Sequence, residues 1–255
     1  MKTTILLTLT TAVLAGSALT VAHAADMPLP TWKHLSSKNG DLLEPNGGTQ
    51  QTACVVFDID QDSAADTVLA ERTQTPAIIW LRHAAKGWEK FVIDDAHRTP
   101  EAGGCPYDVD GDGDLDFAVA NQWATSHLYR NDCPNCAAFL GLHVLLPAQN
   151  SDAIADVIRP GHPGSDTLGR PAIGALAKVQ LPDGRQLIGL VDGGNGQAGE
   201  RSSDLHFGLG HLDPSTQLPV ELHWRDGDGH VNQKTIQLTP GWHTLLLANE
   251  RSVSR

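Results

Sequence analysis

Two acidic stretches, 50 residues apart, constrain the fold of this chain more than any other feature. The first reads CVVFDIDQDSAADTVLAER at 54–72 and the second reads CPYDVDGDGDLDFAVANQ at 105–122. Aligning them places Asp58 over Asp108, and in both copies the acidic loop is followed by a β-rich run and then by a second apolar run. Internal repetition with a period of this length is typical of propellers and repeat arrays. The sequence therefore predicts two copies of one β unit.

The acidic residues of both loops alternate with other residues. Aspartates occupy positions 1, 3, 5, 7 and 9 of the second loop, and positions 1, 3, 5 and 9 of the first, which has alanine at position 7. Unpaired carboxylates this close repel one another, whereas calcium takes about six to eight oxygen ligands and accepts a main-chain carbonyl at position 7. The predicted calcium ligands are Asp58, Asp60, Asp62, Ala64 and Asp66 in the first loop and Asp108, Asp110, Asp112, Asp114 and Asp116 in the second.

Three other interpretations fit parts of this pattern. A helix-flanked calcium hand needs glutamate at position 12, where the chain has Leu69 and Val119, so that interpretation fails. The run VVFDIDQD also resembles the start of a phosphoryl-transferring hydrolase whose first aspartate is the nucleophile, but a second, more acidic copy is unexpected for one catalytic site. An idle, solvated acidic turn is the third interpretation, and its recurrence at a fixed spacing argues against it.

The N-terminus is typical of a secretory signal. Lys2 precedes an apolar stretch at 5–18, and residues 22–24 form a small-x-small cleavage site, so residues 1–24 are predicted to be a signal peptide. The mature protein is expected to be exported to the periplasm, cell surface or medium, without a transmembrane segment. A net charge of −12 disfavours nucleic acid as a partner. Residues 25–49 are predicted to form a leader or linker.

Four cysteines in an exported chain favour disulfides over free thiols, and four cysteines allow three pairings. The preferred pairing joins Cys133 to Cys136 and Cys54 to Cys105. The CPNC motif at 133–136 also resembles a redox-active dithiol, but it lacks the strand-then-helix setting of such a site. A structural disulfide is therefore the favoured interpretation.

From Ala137 onward the chain reads as strands separated by turns. PDG at 182–184 and DGDG at 226–229 are typical of hairpin turns, and the one helical candidate of note is the short run at 151–158. The mature chain is therefore predicted to be all-β. Six runs are strand-like: 139–146, 175–181, 185–191, 219–224, 231–238 and 243–248.

These residues carry two family resemblances. Residues 50–132 resemble two FG-GAP/VCBS repeats, the calcium-loop blades of integrin-type β-propellers. Residues 137–249 resemble the ASPIC/UnbV domain that follows such repeats in cartilage acidic protein and in many bacterial exported proteins. The stretches that carry the second resemblance are AIGALAKVQ (172–180), SSDLHFGLG (202–210) and VELHWRDG (220–227). Together they imply two propeller-blade-like repeats followed by a β-sandwich-like domain.

The expected function is binding rather than catalysis. The chain is expected to be a calcium-stabilised recognition module of the adhesion type, with a protein or glycan as its partner. Closed propellers use about four to eight blades, so two repeats leave open strand edges through which the chain would self-associate. A metal-dependent hydrolase using an aspartate cluster and a structural subunit of a larger assembly are the alternatives. Ser202, Ser203, Asp204 and His206 have the residue types of a hydrolase triad but crowd one segment, unlike known triads.

Overall fold

The computed structural model describes residues 31–96, 98–100, 102–121, 124–134, 136–148, 156–194, 202–226 and 229–247. The predicted signal peptide, the first part of the predicted leader and most of the helical candidate at 151–158 lie outside these residues. Within them the protein is all-β, as predicted, apart from one short 3-10 helix at Ser37–Asn39. No helix among the described residues is long and apolar enough to cross a membrane.

The first half of the chain forms two antiparallel sheets in which sequential strands are neighbours. The first repeat sheet consists of β1 (Gln51–Phe57), β2 (Asp66–Glu71), β3 (Ile78–Ala84) and β4 (Gly87–Asp94). The second repeat sheet consists of β5 (Ala102–Tyr107), β6 (Asp116–Ala120) and β7 (His127–Tyr129). Each acidic loop connects the first two strands of its sheet, so the two loops occupy equivalent places.

The two repeat sheets pack face to face through one apolar cluster. Alternate residues of β1 point inward, and Val55 lies in this cluster with Val68 from β2 and with Phe117 and Val119 from β6. A Cβ atom added at Gly104 of β5 would lie 2.8 Å from Val55 Cγ2. Glycine there allows the first strands of the two repeats to approach closely.

Alternation along the strands also explains the outcome for the cysteines. Cys133 and Cys136 form the predicted disulfide, with their Cα atoms 5.3 Å apart. The prediction that Cys54 pairs with Cys105 is wrong, because neither belongs to a disulfide. Cys54 is exposed, next to the inward-facing Val55, and Cys105 follows Gly104. Both thiols therefore lie on the faces turned away from the shared core.

The described residues of the second half of the chain form nine strands: β8 (Ala138–Pro147), β9 (Val157–Pro160), β10 (Gly169–Pro171), β11 (Leu176–Gln180), β12 (Gln186–Leu190), β13 (Leu205–Gly210), β14 (Leu218–Arg225), β15 (Val231–Leu238) and β16 (Gly241–Leu246). One sheet has the order β10-β8-β16-β9, with β13 also paired to β8, and the other has the order β12-β11-β14-β15. Each of the six strand-like runs predicted after Ala137 corresponds to a strand.

These two sheets share a second apolar cluster and form a sandwich. Leu140, Leu142 and Val144 of β8 point into this core, while Phe139, Gly141 and His143 lie on the opposite face of the same strand. That opposite face, called here the docking face, also carries His206 and Gly208 from β13 and Trp242 from β16, as their pairing with β8 requires. Both acidic loops contact this face.

Strand edges remain open in the described part of the chain. β4 and β7 end their sheets without a further strand partner among the described residues, and the sheets do not close on themselves. The propeller arrangement of the repeats therefore stays a prediction. On β4 the side chains of Phe91, Val92 and Ile93 are exposed.

Candidate metal centres

Both acidic loops wind in the same way. Positions 4 and 6 have positive φ angles in each: 61° at Gln61 and 75° at Ser63 in the first loop, and 80° at Gly111 and 96° at Gly113 in the second. Glycine adopts this conformation most readily, so the glycine-free first loop reaches it with two side chains that rarely do so. The common winding shows that the two loops are structural repeats as well as sequence repeats.

The first aspartate of each loop binds amides of its own loop. Asp58 accepts from Asp62 N at 3.1 Å and from Ser63 N at 2.9 Å. Asp108 accepts from Gly111 N at 2.8 Å and from Gly113 N at 3.1 Å. In both loops the two oxygens of this carboxylate are therefore used to fix the turn.

The last aspartate of each loop is buried and ties the loop to the third strand of its sheet. It accepts one amide from position 2 of its own loop and a second amide from near the C-terminal end of that strand, at His83 in β3 or at Asn131 just after β7. The distances are 3.2 Å from Ile59 N and 2.7 Å from His83 N to Asp66, and 2.9 Å from Val109 N and 2.7 Å from Asn131 N to Asp116.

The carboxylates converge on the scale of a bound calcium ion. Oxygens of Asp58, Asp60 and Asp62 lie within 4.8 Å of one another, as do oxygens of Asp108, Asp110 and Asp116. Ligands on opposite sides of a calcium ion, each about 2.4 Å from it, are about 4.8 Å apart. A further group joins Asp110 and Asp112 to Asp132, which the sequence did not suggest.

The remaining predicted ligands lie beside these groups. Asp66 is held by amides as described, and the Ala64 amide donates to Asp62 at 2.9 Å. Asp114 accepts from the side chain of Gln61 at 2.9 Å and from Cys133 N at 3.0 Å. A group of Asp114 with the two cysteines at 133 and 136 is unsuited to metal, because those sulfurs are joined in a disulfide and metal-binding cysteine is a thiolate.

One carboxylate oxygen of the first loop has no donor. Asp60 Oδ1 is buried and has no hydrogen-bond partner among the described residues, although Oδ2 of the same group is 2.6 Å from Arg82 Nε. Leaving a buried charged acceptor unpaired costs several times what a neutral hydrogen bond contributes. A cation in the loop would satisfy this oxygen.

Each repeat places one arginine beside its loop. Arg82 lies on β3, the third strand of the first repeat sheet, and also approaches Asp62, at 3.4 Å. Arg130 stands at the equivalent point of the second repeat, but it approaches Asp110 only at 3.4 Å and its side chain is 59% exposed. The first loop is thus partly neutralised from within, and the second is much less so.

Burial and crowding disfavour ionised carboxylates in the absence of a cation. Burial, with a smaller contribution from the charges of Asp62 and Asp60, raises the pKa of Asp58 to about 7, although the amide of Ser63 opposes the shift. Burial likewise raises the pKa of Asp114 above its ordinary value. A divalent ion would reverse this tendency by stabilising the charged forms.

The second loop is bonded to the docking face. Trp242 Nε1 donates to Asp108 Oδ2 at 2.8 Å, and His206 Nε2 lies 3.0 Å from the carbonyl oxygen of Gly113. A Cβ atom at Gly113 would lie 2.2 Å from a ring carbon of Phe139. The second loop therefore lies directly on the aromatic side chains of the docking face.

The first loop sits on the end of β13. Gly210 N donates to the carbonyl of Gln61 at 2.8 Å, and a Cβ atom at Gly208 would lie 1.8 Å from Asp58 Oδ2. The Gln61 side chain, 2% exposed, donates to the carbonyl oxygen of Gly113 at 2.9 Å and so joins the loops to each other. The HFGLG stretch at 206–210 therefore contacts both loops.

Sequence reasoning missed these docking residues. The recurrence of arginine two strands after each acidic loop was a usable signal for Arg82 and Arg130. Gln61 and Trp242 carried no signal, because each is a single residue whose role depends on contacts between distant segments.

The suggested hydrolase triad is not assembled. Ser202 Oγ donates to Asp204 at 2.7 Å rather than to a histidine, and His206 is bound to the second loop. Asp204 instead pairs with His143 Nδ1 at 2.7 Å, and His143 Nε2 lies 2.9 Å from His162 Nδ1. These groups fix His143 against Trp242, with ring centroids 4.8 Å apart.

Comparisons with known proteins bear mainly on the C-terminal half. No curated protein matches the chain significantly. One solved structure, a Ca2+-stabilised adhesin that helps an Antarctic bacterium reach out and bind ice, is similar over 77% of this chain and 50% of its own chain, at 11% identity and a TM-score of 0.21. The chain thus spans half of that neighbour, and a likeness this low carries no argument. The ASPIC and UnbV family model matches residues 165–254, which supports an ASPIC/UnbV domain at the C-terminal end of the chain.

Proposed function

We propose that this protein is an exported calcium-binding β-protein that acts as a recognition module of the adhesion type, with a protein or glycan as its partner. The observation that carries the proposal is the convergence of three carboxylates within 4.8 Å in each of two equivalent loops. The unpaired buried oxygen of Asp60 supports a cation there. Calcium is abundant outside the cytoplasm, and extracellular sites with dissociation constants of about 10⁻⁴ to 10⁻³ M are still filled.

The position of the loops favours a structural role for the ion. Both loops lie between the repeat sheets and the docking face, so an ion that rigidifies them also fixes the joint between the two halves of the molecule. A ligand that binds only the folded state stabilises it by an amount that grows with the logarithm of ligand concentration relative to the dissociation constant. Calcium would therefore hold a recognition surface in shape rather than take part in a reaction.

The hydrogen bonds of the first aspartates argue against the alternative, a metal-dependent hydrolase. An aspartate nucleophile needs an oxygen directed at its substrate. In Asp58 and Asp108 both oxygens accept amides of their own loops, and Asp108 also accepts from Trp242.

Calorimetric titration with calcium tests the proposal. We expect uptake of two ions per chain by chelator-washed protein, and loss of one site together with a lower melting temperature in Asp110→Ala. Asp166→Ala removes a 79% exposed carboxylate elsewhere and should keep both sites. Absence of any heat at millimolar calcium would refute calcium binding. An Asp110→Ala protein that melts normally but loses a hydrolytic activity of the wild type would favour the hydrolase.

A second candidate function, a structural subunit of a larger assembly, is favoured by the open edge of β4. Its exposed Phe91, Val92 and Ile93 offer apolar side chains beside unpaired backbone groups, the combination through which strands associate. Light scattering on the purified protein with and without calcium distinguishes a recognition module from a structural subunit. A concentration-dependent oligomer that Val92→Lys disperses supports assembly, and a monomer under both conditions supports a recognition module.

A further inference from the structure

A cavity of about 260 Å³ opens where the repeat sheets meet the C-terminal domain. The first aspartates of both loops lie at one side, Tyr107 of β5 and Trp242 of β16 contribute aromatic rings, and Asp192 and Asp204 lie on the C-terminal domain. Ligand pockets commonly occur at domain junctions, lined by apolar groups with a few polar ones. This cavity has the size and the position of a small-ligand site.

The charge of the lining has one sign. Four aspartates line the cavity, and none of its described lining residues is lysine or arginine. The carboxylates of Asp58 and Asp108 are turned to their own loops, where calcium would neutralise them. Asp192 uses one oxygen for Gly194 N, at 2.8 Å, and its other oxygen has no partner among the described residues. The cavity therefore favours a cation whether or not the loops hold calcium.

The aromatic rings suit an organic cation better than a metal ion. Trp242 is fixed by its bond to Asp108 and by His143 stacked on its ring, so its face is held in place without further ordering. Tyr107 is 43% exposed at the rim. Ammonium groups are attracted electrostatically to the faces of such rings.

His206 adds an acceptor and no positive charge to the lining. Its Nε2 faces the carbonyl of Gly113 and so carries the proton, which leaves Nδ1 as an acceptor that is buried and without a donor among the described residues. Burial lowers the pKa of His206 below its ordinary value and so favours the uncharged ring.

Apolar side chains complete the lining. Val56 and Leu190 line the cavity and are 51% and 56% exposed, so an alkyl chain leaving the cavity would cover apolar surface now in contact with water. Burying such surface contributes about 25 cal/mol per Å². A ligand with a charged end and an alkyl stem matches both parts of the site.

We propose that this cavity binds a primary ammonium group on an alkyl stem, the chemistry shared by lysine side chains and small diamines. The inference rests on the proposed function, because it names the ligand chemistry of the recognition module. Asp192 pairs with the ammonium group through its second oxygen, and Asp204, whose oxygens are held by His143 and Ser202, adds negative charge beside it. The rings of Trp242 and Tyr107 line the cavity around the ammonium group, and the stem lies along Val56 and Leu190.

Calorimetry with 1,5-diaminopentane and with N-acetyl-lysine methylamide, at saturating calcium, tests the proposal. The control ligands are 1,5-pentanediol, which has the same alkyl stem without charge, and glucose. We expect both amines to bind and neither uncharged ligand to do so. The stronger amine indicates whether the natural source is a free diamine or a protein lysine.

Substitutions locate the binding in the cavity. Asp192→Asn should weaken amine binding at least about tenfold, whereas Asp183→Asn, which removes an exposed charge from the turn after β11, should leave it within about twofold. Tyr107→Leu should weaken binding more than Tyr107→Phe, because only the former loses the ring. Circular dichroism confirms that each variant is folded.

Three results would overturn the inference: no heat with either amine, equal affinity in the wild type and Asp192→Asn, or binding of glucose or the diol as strong as that of the amines. The outcomes separate this inference from the calcium proposal. Calcium uptake without amine binding defeats the inference alone, and amine binding without calcium uptake defeats the calcium proposal while the cavity site stands.

Discussion

The two acidic loops share their winding, and their first and last aspartates accept amides in similar ways, yet the loops balance their charge differently. The first has four aspartates, one of which lies 2.6 Å from Arg82, and it has no glycine. The second has five aspartates and two glycines, and its arginine, Arg130, is more exposed and more distant. Arg82 thus partly neutralises the first loop, and under the calcium proposal the second loop is expected to depend more on an ion from solution.

Chelation is expected to give the largest effect. At calcium concentrations about 100 times the dissociation constant, each filled site adds about 3 kcal/mol, so removing both ions should lower the melting temperature by about 10–20 °C. Asp60→Ala leaves the second loop as the main site and Asp110→Ala leaves the first. Scanning calorimetry should show a larger chelator effect in Asp60→Ala. Equal effects in both variants would contradict the difference between the loops.

Gly111 and Gly113 of the second loop both have positive φ angles, but only Gly113 lies against another side chain. Gly111→Ala adds a methyl group in open space, at a φ of 80°, and should cost about 1–2 kcal/mol in unfolding free energy. Gly113→Ala carries the same strain and also meets Phe139, so it should cost about 3 kcal/mol or more. Urea unfolding in saturating calcium measures both. If the two variants are equally stable, the loop does not sit on Phe139.

The arginines give a smaller and more selective effect. In chelator, Arg82→Gln should lower the unfolding free energy by about 1–2 kcal/mol, because the half-buried carboxylate of Asp60, 19% exposed, loses its charged donor. Arg130→Gln should change it by no more than about 0.5 kcal/mol, as for exposed ion pairs. Saturating calcium should reduce the Arg82 effect. Urea unfolding with and without calcium measures these differences. Equal losses of unfolding free energy in the two variants would contradict the proposal that Arg82 neutralises its loop more than Arg130 does.

The smallest expected loss of stability comes from substituting Asp204. This residue holds His143 against Trp242, and Trp242 in turn donates to Asp108 of the second loop. Burial opposes the ionisation of Asp204, but hydrogen bonds from His143 and Ser202 outweigh it and hold its pKa below the ordinary 3.8. A carboxyl group with a lowered folded pKa stabilises the protein above its unfolded pKa and loses this effect as pH falls through the folded value. Asp204→Asn should therefore cost about 1 kcal/mol at pH 7 and progressively less below pH 3.8.

Thermal unfolding of Asp204→Asn and the wild type between pH 7 and pH 2.5 measures this effect. Asp166→Asn, which neutralises a carboxylate that is 79% exposed, is the control. A difference between Asp204→Asn and wild type that grows on acidification would contradict the assigned direction of the pKa shift.

Several features were predictable because they depend on neighbours in sequence. The alternation of apolar residues marked each predicted strand after Ala137, and the spacing of aspartates marked the loops. The Cys133–Cys136 disulfide was predictable because a two-residue separation keeps the thiols close. The Cys54–Cys105 pairing failed because residue alternation placed each thiol on the outer face of its sheet, and that placement depends on which face is buried.

The amino-acid sequence by itself determined the β-rich repeats, the alternating carboxylates and the strands of the C-terminal domain, since these follow from local patterns of charge and hydropathy. Only the tertiary structure decided that the loops lie on the docking face, that Gln61 joins them, and that Trp242 and Asp192 line one cavity. Those relations join residues far apart in the chain, and nothing in a local pattern specifies which distant groups a sheet brings together.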